Sequence, residues 1–249
     1  MQENLQTIAA YSKYLRQTET RRDELPTDDD VEALLFFLYR SFHGARRVEL
    51  SREYFQHSKD VIETERAQIG NVLDGGEADD WKETIRTELE TEIGNSADCQ
   101  MVISLIEWLS DDSISGNIVQ SSQRKIKNGE LAEHHREIRK NVFNVGPKKA
   151  SLYLRDIVAI ANLESTTEGQ WEYIIPIDTQ IATVASAVLE EDIQTDSWRH
   201  SARRIADVCR QHSISPVEFD EGAWYIGANA LGILLDSISE LDPAAHYVD

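Results

Sequence analysis

The chain has 249 residues, 41% hydrophobic and 8% aromatic, enough for one large domain or two small ones with a real core and too much for a disordered tail. It carries 25 Lys and Arg against 45 Asp and Glu, a net charge of −20, and only eight of the 25 cations are Lys. Acids spread over most of the chain predict a halophilic setting, because molar salt shortens the Debye length to roughly 3 Å and screens self-repulsion. Two cysteines, Cys99 and Cys209, exclude a disulfide scaffold and an all-cysteine metal or iron–sulfur site. No apolar run reaches the length of a membrane span, so the expected compartment is the cytoplasm.

Taken in chain order, the periodic segments read as helix. Leu5, Ile8 and Leu15 mark one face of an N-terminal helix that fades near Glu24-Leu25-Pro26. Thr27 and Asp28, Asp29 and Asp30 supply a cap and an acidic first turn for a second helix, whose run 31–42 is apolar nearly all round and belongs in a core. Trp81, Ile85, Leu89 and Ile93 form the buried stripe of an acidic surface helix. A buried helix over 101–109 contains Trp108 and stops at Ser110-Asp111-Asp112. Leu131, Ile138 and Val142 lie on one helix, and Ala150, Leu154, Ile157 and Ala161 lie on the next. The run 171–177 reads as an extended connection. A helix from Asp178 carries Ile181, Val184, Ala185 and Val188, and two more cover about 197–212 and 221–239. The predicted class is all-α.

Residues 122–155 interrupt the acidic pattern with nine Lys and Arg against three Glu, a local charge of +6. Arg124, Lys125, Lys127, Arg136, Arg139, Lys140, Lys148, Lys149 and Arg155 are the cations, and His134 and His135 lie among them. Such an island suits an anionic partner or, equally, a solvated helix face.

Two short segments carry chemistry. In Phe143-Asn144-Val145-Gly146-Pro147-Lys148-Lys149-Ala150, Asn144 accepts a left-handed backbone, Gly146 takes positive φ or caps, and Pro147 suits a first helical position. The helix that follows points its positive end outward, where a phosphate is attracted. A nucleophilic lysine reacts as the neutral amine, and a like charge nearby and a helix N-terminus both favour that form. In Ile174-Ile175-Pro176-Ile177-Asp178, an apolar run delivers a carboxylate to a helix start, where it caps the helix or stabilises positive charge in a partly desolvated spot.

Together these segments resemble the helix–hairpin–helix DNA glycosylases, whose hairpin reads Gly-x-Gly-x-Lys-x-Ala and is followed by an apolar Pro-x-Asp. Asn144 stands in the first glycine's place, Lys148 falls on the catalytic lysine and Asp178 on the catalytic aspartate. The archaeal 8-oxoguanine (GO) DNA glycosylases are a closer likeness. The long interval from Lys148 to Asp178 points there, as do Ile214-Ser215-Pro216, Phe219-Asp220, Ala223-Trp224-Tyr225-Ile226-Gly227 and Glu53-Tyr54-Phe55. Arg52, Lys149, Leu152, Gln180 and Thr183 depart from the usual choices and leave the excised base open.

The resemblance implies two helical subdomains with the active site in the cleft between them. One is a helical barrel over 29–161 ending in the hairpin, and the other comprises 1–28 plus 162–249. It implies a base-pocket wall at Trp224, with Asp220 as polar reader and Pro176 and Leu152 beside the base. DNA would be gripped by Asn144, Gly146, Lys149, Arg124, Lys125 and Lys127. The implied reaction excises an oxidised base, 8-oxoguanine first among them, through a Schiff base on Lys148 and cuts the strand by β-elimination. It needs no cofactor and no metal. The implied partner is damaged double-stranded DNA, with single strands as a further form and no membrane, and the chain is expected to be a monomer. A monofunctional glycosylase and a non-catalytic DNA-binding relative are the alternatives.

Overall fold

The computed structural model describes residues 1–18, 24–43, 48–76, 81–93, 95–111 and 117–240, and every regular element among them is helical. Asp112, read as part of a helix stop, lies outside the described residues. No helix among the described residues is long and apolar enough to cross a membrane. The chain divides into two compact units, Met1–Arg21 with Ile177–Asp249 and Arg22–Pro176.

The first unit contains α1 (Gln2–Ala10), α2 (Ser12–Thr18) and, from the C-terminal part, the helices labelled α11 to α13 below. The single N-terminal helix expected from the spacing is two, because Tyr11 ends α1 and turns the chain. Its apolar face survives the break, with Leu5, Ile8 and Leu15 all buried.

The second unit holds α3 (Asp30–His43), α4 (Val48–Thr64), α5 (Arg66–Leu73), α6 (Trp81–Ile93), α7 (Ser96–Leu109), α8 (Ile118–Lys127), α9 (Leu131–Asn141) and α10 (Pro147–Ile160). Asp29 starts α3 by accepting the Glu32 N–H at 2.9 Å, as the acidic run predicts. Asn95 and Asn117 do the same for α7 and α8. Helix α3 is the centre of this unit and packs against α4, α5, α7, α8 and α10, with Phe37 4.7 Å ring to ring from Tyr153. Arg40 of α3 and Arg155 of α10 both pair with the fully buried Asp156, so an ionic triad is sunk in the same core. A buried ion pair gains little over an apolar one, but it fixes which residues meet.

Residues 162–176, grouped by sequence with the C-terminal helices, pack with this unit instead. The 3-10 turns Glu164–Thr167 and Trp171–Tyr173 lie on α8, α9 and α10. The expected extended run therefore starts with a turn: Tyr173 N–H bonds Gln170 C=O and Ile174 N–H bonds Trp171 C=O, both at 3.1 Å, while Trp171 is buried.

The first unit is completed by α11 (Thr179–Leu189), α12 (Trp198–Gln211) and α13 (Pro216–Glu240). Helix α13 packs against α1, α2, α11 and α12. Gly222 and Gly227 let it come close. A Cβ at Gly222 would stand 1.8 Å from the Ile8 carbonyl oxygen, and one at Gly227 would stand 2.6 Å from the Gln180 Cβ.

Candidate active site

The turn between α9 and α10 is fastened from three sides. Val142 ends α9 in an extended conformation, and Asn144 then takes φ 58, the left-handed state anticipated from its type. Ser104 Oγ of α7 donates to the Met101 carbonyl at 3.1 Å and accepts the Phe143 N–H at 2.8 Å. Asn144 Nδ2 donates to Asp98 Oδ1 at 3.4 Å. His135 Nε2 lies 3.3 Å from the Pro147 carbonyl and 3.2 Å from Ser151 Oγ, holding the start of α10 to α9.

Gly146 is the N-cap of α10 at φ −85, with Pro147 in the first turn as predicted, and no side chain caps the helix. An extended φ of that kind is open to any residue, and a Cβ at Gly146 would meet nothing within 4 Å. Neither backbone conformation nor internal packing therefore demands glycine there. The space in front of this helix N-terminus is open.

The two lysines of the first turn are sorted sharply. Lys148 is half-buried at the surface. Lys149 is only 7% exposed, with Nζ 3.7 Å from Met101 Sδ of α7. The expectation that Lys149 grips DNA is corrected, since an amine lodged against a core methionine presents no charge to a phosphate. Arg155, counted in the basic island, belongs to the buried triad. His134 and His135 are likewise inside and not surface ligands for phosphate.

His134 joins a polar chain that ties three helices together. Tyr153 OH of α10 lies 2.9 Å from Ser122 Oγ of α8, and Ser122 Oγ lies 2.8 Å from His134 Nε2 of α9. His134 Nδ1 lies 3.3 Å from Glu137 Oε2, which also takes the Lys125 ammonium. A carboxylate can only accept, so Nδ1 carries the proton, and Ser122 Oγ, with a single proton to give, stands between the Nε2 lone pair and the Ile118 carbonyl at 2.7 Å. Burial pushes the His134 pKa down and keeps the ring neutral, and burial pushes the Tyr153 phenol up. The His134 hydrogen bond, with the Lys125 ammonium, holds Glu137 at about 2. None of this network was read from the sequence.

The remaining DNA candidates Arg124 and Lys127 are exposed, and Lys125 is half-buried against Glu137. Leu152 is half-buried one turn after Lys148, and Pro176 is buried at the end of the second unit. In the first unit, Asp178 is the N-cap of α11, its Oδ1 accepting the Ile181 N–H at 2.9 Å, after the buried run Ile174, Ile175 and Ile177. Asp220 is fully buried in α13, and Trp224 one turn later is half-buried. Among the described residues no group of His, Cys, Asp and Glu has the geometry of a metal site. Set against protein-family models, curated proteins and solved structures, the chain matches none.

Proposed function

We propose that the chain is a DNA repair glycosylase with lyase activity that excises an oxidised base, 8-oxoguanine first among them, from duplex DNA. In this reading α9, the turn and α10 are the helix–hairpin–helix, with Lys148 carried by one helical subdomain and Asp178 by the other. The observation that carries it is the sorting of the paired lysines: Lys148 meets solvent in the first turn of α10 while Lys149 is spent on the core. Gly146 adds to it, because its open front leaves room for a sugar–phosphate backbone to approach the α10 amide end.

The chemistry then follows from these groups. The damaged nucleotide leaves the helix stack at a cost of a few kcal/mol. Lys148 Nζ, as the neutral amine, bonds to C1′, and the C1′–N bond breaks with its electron pair going to the base. Asp178 stabilises the positive charge that develops on the sugar and accepts the proton released by the amine. Ring opening leaves an imine between Nζ and C1′. The imine acidifies the C2′ proton, and loss of that proton expels the 3′ phosphate. Trp224, Leu152, Pro176 and Asp220 are the proposed surroundings of the base.

Borohydride reduces such an imine to a stable amine. Wild-type protein with an 8-oxoguanine duplex is expected to give a covalent adduct on a denaturing gel, and Lys148→Gln none. Base release with no adduct in the wild type would mark a monofunctional enzyme. Asparagine caps a helix as well as aspartate does, so Asp178→Asn spares α11. It is expected to keep duplex affinity while base release falls roughly a hundredfold or more. A parallel loss of both would reduce Asp178 to a structural cap.

A further inference from the structure

Several cations among the described residues have carboxylate partners. Arg16 pairs with Glu221, Arg66 with Asp29 and Glu63, Lys82 with Glu107, Arg86 with Glu83 and Arg204 with Glu191. With 45 acids for 25 bases, that is the default. Arg136 and Lys140 of α9 make no ion pair among the described residues. Arg136, Arg139 and Lys140 sit three and four residues apart and are all exposed, on the face opposite the buried Leu131, His134, His135 and Ile138.

Just past the end of that helix stands Phe143, 52% exposed. Its backbone is not loose: the N–H is held by Ser104, and the next residue is locked left-handed and bonded to Asp98. A phenyl ring is thus held in water on a fixed turn, one residue from Asn144 and beside a run of cations. A protein partner would offer an apolar socket but no reason for the cations. A nucleic acid offers both anionic phosphates and flat bases.

We propose that Phe143 is a stacking wedge for DNA, entering the duplex where the damaged nucleotide leaves it, while Arg136, Arg139 and Lys140 hold successive phosphates along α9. This rests on the repair reading above and extends it to the grip on the distorted duplex. Aromatic stacking on bases tolerates any sequence, and apolar wedges between base steps hold a duplex kinked.

The test titrates the full chain with an intact duplex and with one carrying a tetrahydrofuran abasic-site analogue beside a 2-aminopurine. Wild type is expected to prefer the abasic duplex and to change the 2-aminopurine signal. Phe143→Ala removes a ring that is 52% exposed, so its melting curve should stay close to wild type. Its preference for the abasic duplex should fall roughly tenfold and the 2-aminopurine change should disappear. Phe143→Tyr should restore both. Neutralising Arg136, Arg139 and Lys140 to Gln should weaken both duplexes alike and reduce the salt slope of log affinity by roughly two to three. The wedge is overturned if Phe143→Ala keeps the wild-type preference and signal, even when wild type traps with borohydride. A Phe143-dependent signal without any trapped adduct keeps the wedge and removes the lyase. Failure of wild type to bind either duplex removes both.

Discussion

His134 is buried between Ser122 and Glu137, and that position makes it an acid-sensitive point of the second unit. Its folded pKa is below the ordinary 6.5. As pH falls through 6.5, the unfolded chain takes up a proton that the folded chain refuses, so stability drops with acidification. Glu137, held at about 2 against an ordinary 4.5, adds a second loss below 4.5, where the unfolded carboxylate protonates first. Melting midpoints measured between about pH 8 and pH 2 should therefore fall in two stages, and His134→Gln should lack the first. An identical pH profile for the variant would mean that His134 does not titrate with folding. The same residue shows where reading by residue type went astray. Leu131, His134, His135 and Ile138 have the three- and four-residue spacing of a buried face, but the two histidines sit among cations and were grouped with the basic segment. Lys149 and Arg155 lie among the buried residues of α10 in the same way, with Ala150 and Leu154 beside them. Conversely, Phe143 has Arg136, Arg139 and Lys140 at seven, four and three residues before it, a pattern that no buried ring would share.

At the scale of elements, the apolar stripes of α3, α6, α7, α9, α10 and α11 were legible because enough of each buried face is aliphatic or aromatic to show the period, even where α9 also buries His134 and His135 and α10 buries Lys149 and Arg155. Helices α4 and α8 were not, and the reason is the same in both. The buried face of α4 includes Ser51 and Ser58 beside Val61 and Ile62, and that of α8 includes Ser121 and Ser122 beside Ile118 and Ile126. Serine on a buried face breaks a hydrophobic period without breaking the helix; Ser122, for one, bonds the Ile118 carbonyl at 2.7 Å. Glycines in helices carry a related ambiguity that only packing resolves. Gly222→Ala drives a methyl into the Ile8 backbone, where nothing flexible can yield, and is expected to cost the first unit about 1–3 kcal/mol. Gly70→Ala in α5 meets open space and is expected to gain about 0.5–1 kcal/mol. Chemical denaturation of the two variants should move in opposite directions. A neutral Gly222→Ala would show that α1 and α13 can part.

At the scale of the whole molecule, a net charge of −20 and a cationic patch give salt two opposed effects. Without Lys149 and Arg155, the surface cations of residues 122–155 are Arg124, Lys125, Lys127, Arg136, Arg139, Lys140 and Lys148. Added salt shrinks the Debye length from about 10 Å at 0.1 M to about 3 Å at 1 M, which relieves repulsion among the acids and stabilises the fold. In the proposed reading the same ions compete with the patch for phosphate, and log affinity for B-DNA falls by about 0.9 per contact for each decade of salt. Activity against KCl should therefore rise and then fall, the two limbs having different owners. Neutralising Arg124, Lys125 and Lys127 to Gln should make the falling limb shallower by roughly two to three in its logarithmic slope and leave the rising limb in place. Glu88→Gln with Glu90→Gln, on the exposed acidic side of α6, should do the reverse, moving the rising limb to lower salt without touching the falling one. If either set of substitutions shifted both limbs together, the acidic surface and the cationic patch would not be separate devices, and the grip on DNA would have to be sought on another face of the protein.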